Sequence, residues 1–547
     1  DPELDAAWTD DTCLGWVYQY WNDPAREALD ARLEDRKKLA NDEIASKTQM
    51  FTERYLVDWL LQNTVGQSWL ALCERNGWTP EVRRDGVLDQ LEQRRKDWRD
   101  KREAGQEALD ALMPLNGTVE HHWAYWVPQP MPADAVAKAP SSLRDFKLLD
   151  PACGSGHFLV IACDLLVALH QEEGRHRGEA RPLRQVLANV LEENLHGVDL
   201  DPRAVQIAAA ALWLKGRALL AAEGDREPLR LRKLNLVASR LELGRLDPED
   251  PERKRLREAI AAEVGLPAGL VDRVLDSLRD ADHLGTLLKV DSAIGDALKQ
   301  QGQDWVEQGV TLPGEHEERI GEPVERVLRA LEGFLARHTR ADDLGLRLSA
   351  EQLAAGVRFL RLVREDQYDV VVGNPPYQGT SKMADAGYIK KVYPQGKADL
   401  YAAFLLRGLQ LARPGGVSGL LTMRNWMFIK QYTQLRETLL EKYDLRTLGD
   451  VDRGAFEEVP DEIVAVVMSV FRRGEPSEEP SVAMQPTPLD DKTRDSARTK
   501  RKRAAVLCGV GRFDFSTLAL GTLDQAPIVY WWARSAVEQF RSVDKLG

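Results

Sequence analysis

Short apolar runs that stop at an acid, a glycine or a proline alternate with long stretches of helical spacing through the middle of the chain. "FKLLD" (146–150), "NLHGVDLD" (194–201), "LRKLNLV" (231–237), "QYDVVVGNPPY" (367–377), "GVSGLLTM" (416–423), "LRTLGDVD" (445–452) and "EIVAVVMSVF" (462–471) predict strands. "FLVIACDLLVALH" and "PRAVQIAAAALWLKGRALL", which follow the first two, predict helices. Strand–helix alternation of this kind builds a mainly parallel sheet covered on both faces, so the expected class is α/β, a Rossmann-like sheet.

The flanks read differently. Residues 1–130 have helical spacing with dense opposite charges and hold 9 of the 14 tryptophans, which predicts a helical region with tryptophan in its core. Residues 241–365 are rich in Leu, Arg and Glu, and "HLGTLLKVD" (283–291) reads as a short return to the core. Residues 474–503 are rich in Pro, Ser and charge and end in "TKRKR", the pattern of an exposed linker or loop. The expected organisation is a helical N-terminal region (1–140), a first half-sheet (141–240), a helical insertion (241–365), a second half-sheet (366–475), and a linker leading to further recognition elements (476–547).

Composition narrows the function classes. The chain has 547 residues, 43% of them hydrophobic, and a net charge of −13. That balance excludes a uniformly basic nucleic-acid coat but not a local basic cleft. No run approaches the roughly 20 apolar residues of a membrane span, and residues 1–30 lack a signal-peptide pattern. Five cysteines without pair spacing fit a reducing cytoplasm, and the nine histidines form no ligand array, so no metal is expected. The sequence lacks an initial Met and reads as part of a longer protein.

Two motifs carry chemistry. In "LLDPACGSGHFLV", Asp150 ends a strand, Gly154 and Gly156 form a turn, and a helix follows. Glycines let backbone approach a ligand, and the helix start presents free N–H groups. Leu159 stands where a dinucleotide fold needs its third glycine, and no G-K-[ST] follows. Asp150 would repel a pyrophosphate but suits the ammonium and sulfonium of S-adenosylmethionine (SAM). Asp199 ends the second strand, where a carboxylate accepts ribose hydroxyls, while Asp201 before Pro202 reads as a helix cap. In "NPPY", Asn374 and the carbonyl of Pro375 offer two fixed acceptors, Pro375 and Pro376 stiffen the corner, and Tyr377 offers a stacking face. Together they suit an amine or amide nitrogen gripped for methylation, a task of positioning rather than acid–base catalysis.

"DPACGSGHFL" with "NPPY" resembles the amino-methyltransferases that modify adenine N6 in DNA. "TQMFTERYLVDWLL" (48–61) resembles their SAM-packing segment, here Phe51–Thr52 followed by Glu53, and its place before the glycine loop is the gamma-class order. "WVYQYWND", "FTERYLVDWLLQNTVGQSWLAL" and "GAFEEVPDEIVAVVMSVF" resemble the PglX-like methyltransferases of BREX phage-defence systems, with the DISARM adenine methylases second. The resemblance implies catalytic Asn374, Pro375, Pro376 and Tyr377. It implies SAM held by Phe51, Thr52, the turn Asp150, Pro151, Ala152, Gly154 and Gly156, and Asp199. For the acceptor facing the SAM adenine it leaves Asn235, with Asp291 as rival, and for the second aromatic beside the base it leaves Trp426 or Phe428, although each reads more readily as buried core. Double-stranded DNA and other defence proteins are the implied partners. Two alternatives stand beside this reading: a SAM-binding scaffold without turnover, and a methyltransferase acting on RNA or a protein amide. The basic run 498–503 reads as solvated linker or phosphate contact.

Overall fold

The computed structural model describes residues 13–34, 38–40, 43–48, 51–239, 249–264, 284–289, 354–457, 464–486 and 497–533, with isolated positions from 247 to 332 and at 535–539. Nine strands among them form one sheet: β1 (Leu148–Asp150), β2 (Leu195–Asp199), β3 (Asn235–Ala238), β4 (Tyr368–Gly373), β5 (Ala412–Met423), β6 (Asp444–Arg453), β7 (Ala465–Arg472), β8 (Ser481–Met484) and β9 (Arg512–Phe515). The order is β3-β2-β1-β4-β5-β7-β6-β8-β9. β1 to β5 are parallel, and β7 runs antiparallel to both its neighbours. A parallel half with its switch point at β1/β4 and an inverted β7 make up the mainly parallel α/β sheet expected from the sequence.

The helices that matter for the site are α1 (Cys13–Glu34), α2 (Arg54–Leu61), α3 (Gln67–Asn76), α4 (His157–Arg177), α5 (Pro202–Ala222), α6 (Leu400–Leu411), α7 (Thr433–Lys442) and α8 (Arg498–Leu507). Alternation along the strands divides the apolar side chains between two cores. Leu148, Val370 and Val372 join α2, α3, α4 and α5 on one face. Leu149 and Val371 join α6 and α7 on the other, together with Ile260, Leu328 and Leu331 of the insertion. The N-terminal helices are therefore one layer of the sheet's covering. Leu60 and Thr64 press on Gly419, and Trp59 presses on Gly449, where the missing side chains let the helix approach. Trp59, Trp69 and Trp123 are buried in this layer, whereas Trp21 on α1 is 79% exposed.

α5 has the length and mean hydropathy of a membrane span, contrary to the expectation that no segment approaches one. Ala204, Ala208, Leu212 and Leu220 are buried, and the helix contacts β2 and β3. Its cap is the expected one: Asp201 Oδ1 accepts the Arg203 N–H at 2.9 Å ahead of Pro202.

Beyond residue 474 part of the stretch read as linker or exposed loop belongs to the sheet and its covering. β8 pairs with β6 through Thr447–Val482, Leu448–Ala483 and Gly449–Met484, and β9 pairs with β8. The basic run forms α8, where Lys502 is buried and its Nζ donates to Val451 O at 2.5 Å. Thr499 Oγ1 bonds the carbonyls of Gly454 and Phe456, so α8 clamps the end of β6. The Lys502 stem packs while its head finds a carbonyl, which a charge count along the chain cannot reveal. Residues 487–496 of this stretch and most of 265–353 lie outside the described residues.

Candidate functional site

β1 sits between β2 and β4, with Leu149 opposite both His196 and Val371. The three strands therefore end side by side, and ligands of parallel α/β sheets bind at such a switch point. A cleft opens there. Pro151, Ala152 and Gly154 of the turn after β1, Asp199 at the end of β2, and Asn374 and Pro376 after β4 all line it. The sequence separates these residues by more than 220 positions; the sheet order brings them to one opening.

The glycine turn is fixed by its neighbours. Gly156 has φ +86°, and a Cβ there would lie 2.8 Å from Ala208 Cβ on α5. The Gly154 N–H donates to Asp199 Oδ2 at 2.8 Å, and the Asp201 N–H donates to Asp199 Oδ1 at 2.9 Å. Asp199 thus ties the first two strand ends together, and burial raises its carboxyl pKa. Each oxygen keeps a second lone pair for a ligand hydroxyl. Asp150 lies behind the cleft wall. It is 1% exposed, its Oδ1 accepts the Ala152 N–H at 3.1 Å, and burial pushes its carboxyl up to about 8. A Cβ on Gly373 would meet that Oδ1 at 2.6 Å, so only glycine fits between the acid and the Asn374 corner.

The corner itself is held at both ends. Pro375 is buried, and the Gln378 N–H donates to Asp399, the cap of α6. Asn374 Nδ2 donates to Thr52 Oγ1 at 3.1 Å, while Asn374 Oδ1 is buried without a partner. The Tyr377 ring stands edge-on to Tyr401 at 6.0 Å, and its hydroxyl is also buried and unpartnered. Phe51 does not line the cleft. Its ring lies 4.3 Å from Trp16 and 4.2 Å from His157, and its N–H donates to Gln19.

Four of the candidates named from the sequence do not line the cleft. Asn235 opens β3 opposite His196 and donates to Glu192 O at 2.7 Å, so it sits three residues, or about 10 Å, upstream of the cleft end of that strand. The strand begins inside the apolar run rather than at its start, which moves its end on to Ala238 and the fully buried Ser239, whose Oγ has no partner. Asp291 is engaged by Arg364 and the Glu365 N–H and does not replace it. Trp426 is fully buried against Phe471 and bonds Thr422, which makes it core. Phe428 is half-buried between Arg424 and Trp531.

Sequence reasoning missed Tyr18, whose hydroxyl donates to Asp201 at 2.7 Å as it lines the cleft, and the wall made by Leu284–Leu287, Leu400 and Phe404. The "HLGTLL" return to the core was the available signal for part of that wall. Among the described residues, Cys73, Glu172 and His176 form a trio of metal-ligand type. Glu172 and His176 lie in the last two turns of α4, about 20–30 Å of helix from its start, and Glu172 Oε1 already accepts the Glu81 N–H.

Residues 193–456 match the family of Eco57I restriction-modification methylases, and 132–228 match the MmeI DNA-methyltransferase domain. The adenine-specific methyltransferase PglX of Lacticaseibacillus casei is 26% identical over 84% of this chain and 32% of its own length. BrxX of Escherichia coli O9:H4, likewise named an adenine-specific methyltransferase, is 25% identical over all of this chain and 39% of its own. The chain thus spans between about a third and two fifths of the length of these relatives. Among solved structures, the DNA-bound Type ISP restriction-modification enzyme LlaBIII aligns over 68% of this chain and 20% of its own, at 14% identity and a TM-score of 0.36. By sequence the chain is similar to the PglX and BrxX adenine-specific methyltransferases, and just under half of it matches the Eco57I restriction-modification methylases.

Proposed function

We propose that this chain is the methyl-transfer core of an adenine-N6 DNA methyltransferase that uses SAM, acts on a base turned out of the duplex, and marks host DNA within a phage-defence system. The observation that carries the reading is the buried, unpartnered Oδ1 of Asn374, a residue that lines the glycine-turn cleft. A buried acceptor without a donor is costly, and an incoming amine would satisfy it.

The residues fit the cofactor. Asp199 offers free lone pairs at the rim of the cleft, and Leu284, Leu287 and Phe404 offer an apolar wall for a nucleoside. Bound there, SAM supplies an electrophilic methyl group. Asn374 Oδ1 and the Pro375 carbonyl then each accept one N–H of the target amine. That draws its lone pair out of conjugation with the ring and turns the nitrogen towards the cleft. Neither acceptor is a strong base, so the nitrogen releases its proton after it has gained the methyl. Tyr377 supplies the stacking face for an extruded base. Asn374, Pro375, Pro376 and Tyr377 bear on the base, whereas Pro151, Ala152, Gly154 and Asp199 bear on the cofactor.

The test is transfer of labelled methyl from SAM by the full-length protein to duplex DNA, transfer RNA and protein in parallel. Labelled N6-methyladenine in the duplex is the expected product. Label confined to RNA or protein, or transfer undiminished by Asn374→Ala, overturns the proposal.

A further inference from the structure

We infer that Thr52 is a positioning residue for Asn374: its hydroxyl takes the Asn374 amide N–H and leaves the amide oxygen facing the cleft. The inference rests on the methyl-transfer reading above and deepens it. Thr52 does not line the cleft; it is 5% exposed and meets Asn374 Nδ2 at 3.1 Å across 322 residues of sequence.

A carboxamide has two orientations of nearly equal shape, and only one presents an acceptor. With the oxygen facing the cleft, an amine N–H is welcomed. With the NH2 group there, two donors oppose it. The backbone of Asn374 is already fixed, by Gly373 packed on Asp150 and by the rigid Pro375 that follows. Rotation of the amide is the freedom that remains, and Thr52 is the side chain that bonds it. The hydroxyl could donate to the oxygen in the flipped orientation, but the buried NH2 would then lose its acceptor. Orphaned N–H groups are rarer in proteins than under-satisfied carbonyl oxygens, so the observed orientation is the better one.

Thr52 is itself held from both sides. The Phe51 N–H donates to Gln19 and its ring is wedged between Trp16 and His157. Glu53 Oε1 accepts the Glu457 N–H at 3.1 Å, and α2 begins at the next residue. A hydroxyl fixed to this degree is suited to setting the register of another side chain rather than following a mobile ligand.

The experiment compares full-length wild type, Thr52→Val and Thr52→Ser for single-turnover methylation of duplex DNA, SAM affinity by calorimetry, and thermal midpoint. Valine keeps the shape and removes the hydroxyl. The expected result is a methylation rate about 10-fold lower for Thr52→Val. SAM affinity and melting stay close to wild type, and Thr52→Ser recovers most of the rate. A Thr52→Val protein at the wild-type rate overturns the inference. So does a loss of SAM affinity large enough to account for the whole defect, or a serine variant as slow as the valine one. Absence of methyl transfer by the wild type is a different failure: it removes the functional reading on which the inference rests.

Discussion

At the scale of single residues, the cleft concentrates groups whose ordinary hydrogen bonding or ionisation is suspended. Asn374→Ala removes one of two proposed acceptors, and single-turnover rates should fall about 100-fold with cofactor affinity little changed. Asp150 and Asp399 make a separate prediction about stability. Burial pushes their carboxyls up to about 8 and about 7. The native protein therefore keeps protons that the unfolded chain gives up near pH 4. Stability from these two groups is greatest at low pH, falls as pH rises from about 4, and levels off above about 8. Asp150→Asn, which keeps an acceptor for the Ala152 N–H, should raise the melting temperature at pH 9 and leave it unchanged at pH 4. Melting curves across that range read the difference, and equal effects at both ends would contradict the assignment.

At the scale of elements, the end of the sheet shows what a pattern of apolar runs conveys and what it omits. The seven strands expected from such runs are present because each has enough apolar residues to face a core. β8 and β9 have four residues each, and β9 alternates exposure along "RFDF", so neither stands out within a Pro- and charge-rich stretch. Their role is nonetheless structural: a chain cut at 475 leaves the β6 edge unpaired at Thr447–Gly449 and removes the α8 clamp on Val451 and Gly454. Such a fragment should melt well below the longer chain and self-associate in sedimentation, because an open strand edge recruits another. The glycine turn and the Asn374 corner were legible for the opposite reason. Each compresses its chemistry into a few consecutive residues, and the geometry of a strand end is local. Asn235 was misplaced because a strand's first residue is set by its ladder partners rather than by the start of an apolar run.

At the scale of the molecule, the sheet order makes the cleft a property of the whole rather than of either half. β4, which carries Asn374, pairs with β1 on one side and β5 on the other, with the insertion between its sequence and that of β3. A protein ending at 365 retains the glycine turn and Asp199 but lacks β4, Pro376, Leu400 and Phe404 from the wall. Calorimetry should detect no SAM binding to it, and tight binding would mean that the first half alone builds the site. What the sequence could not convey at this scale is the pairing of distant segments, such as Thr52 with Asn374 or Tyr18 with Asp201. The Thr52–Asn374 bond also has a temporal meaning. A ribosome making this protein releases the threonine more than three hundred residues before its asparagine partner, so a nascent chain stalled or abandoned midway holds the opening turn of the pocket without the corner that would grip a nucleobase. Under the proposed function, methyl transfer is thereby reserved for polypeptides whose synthesis has carried them past β4.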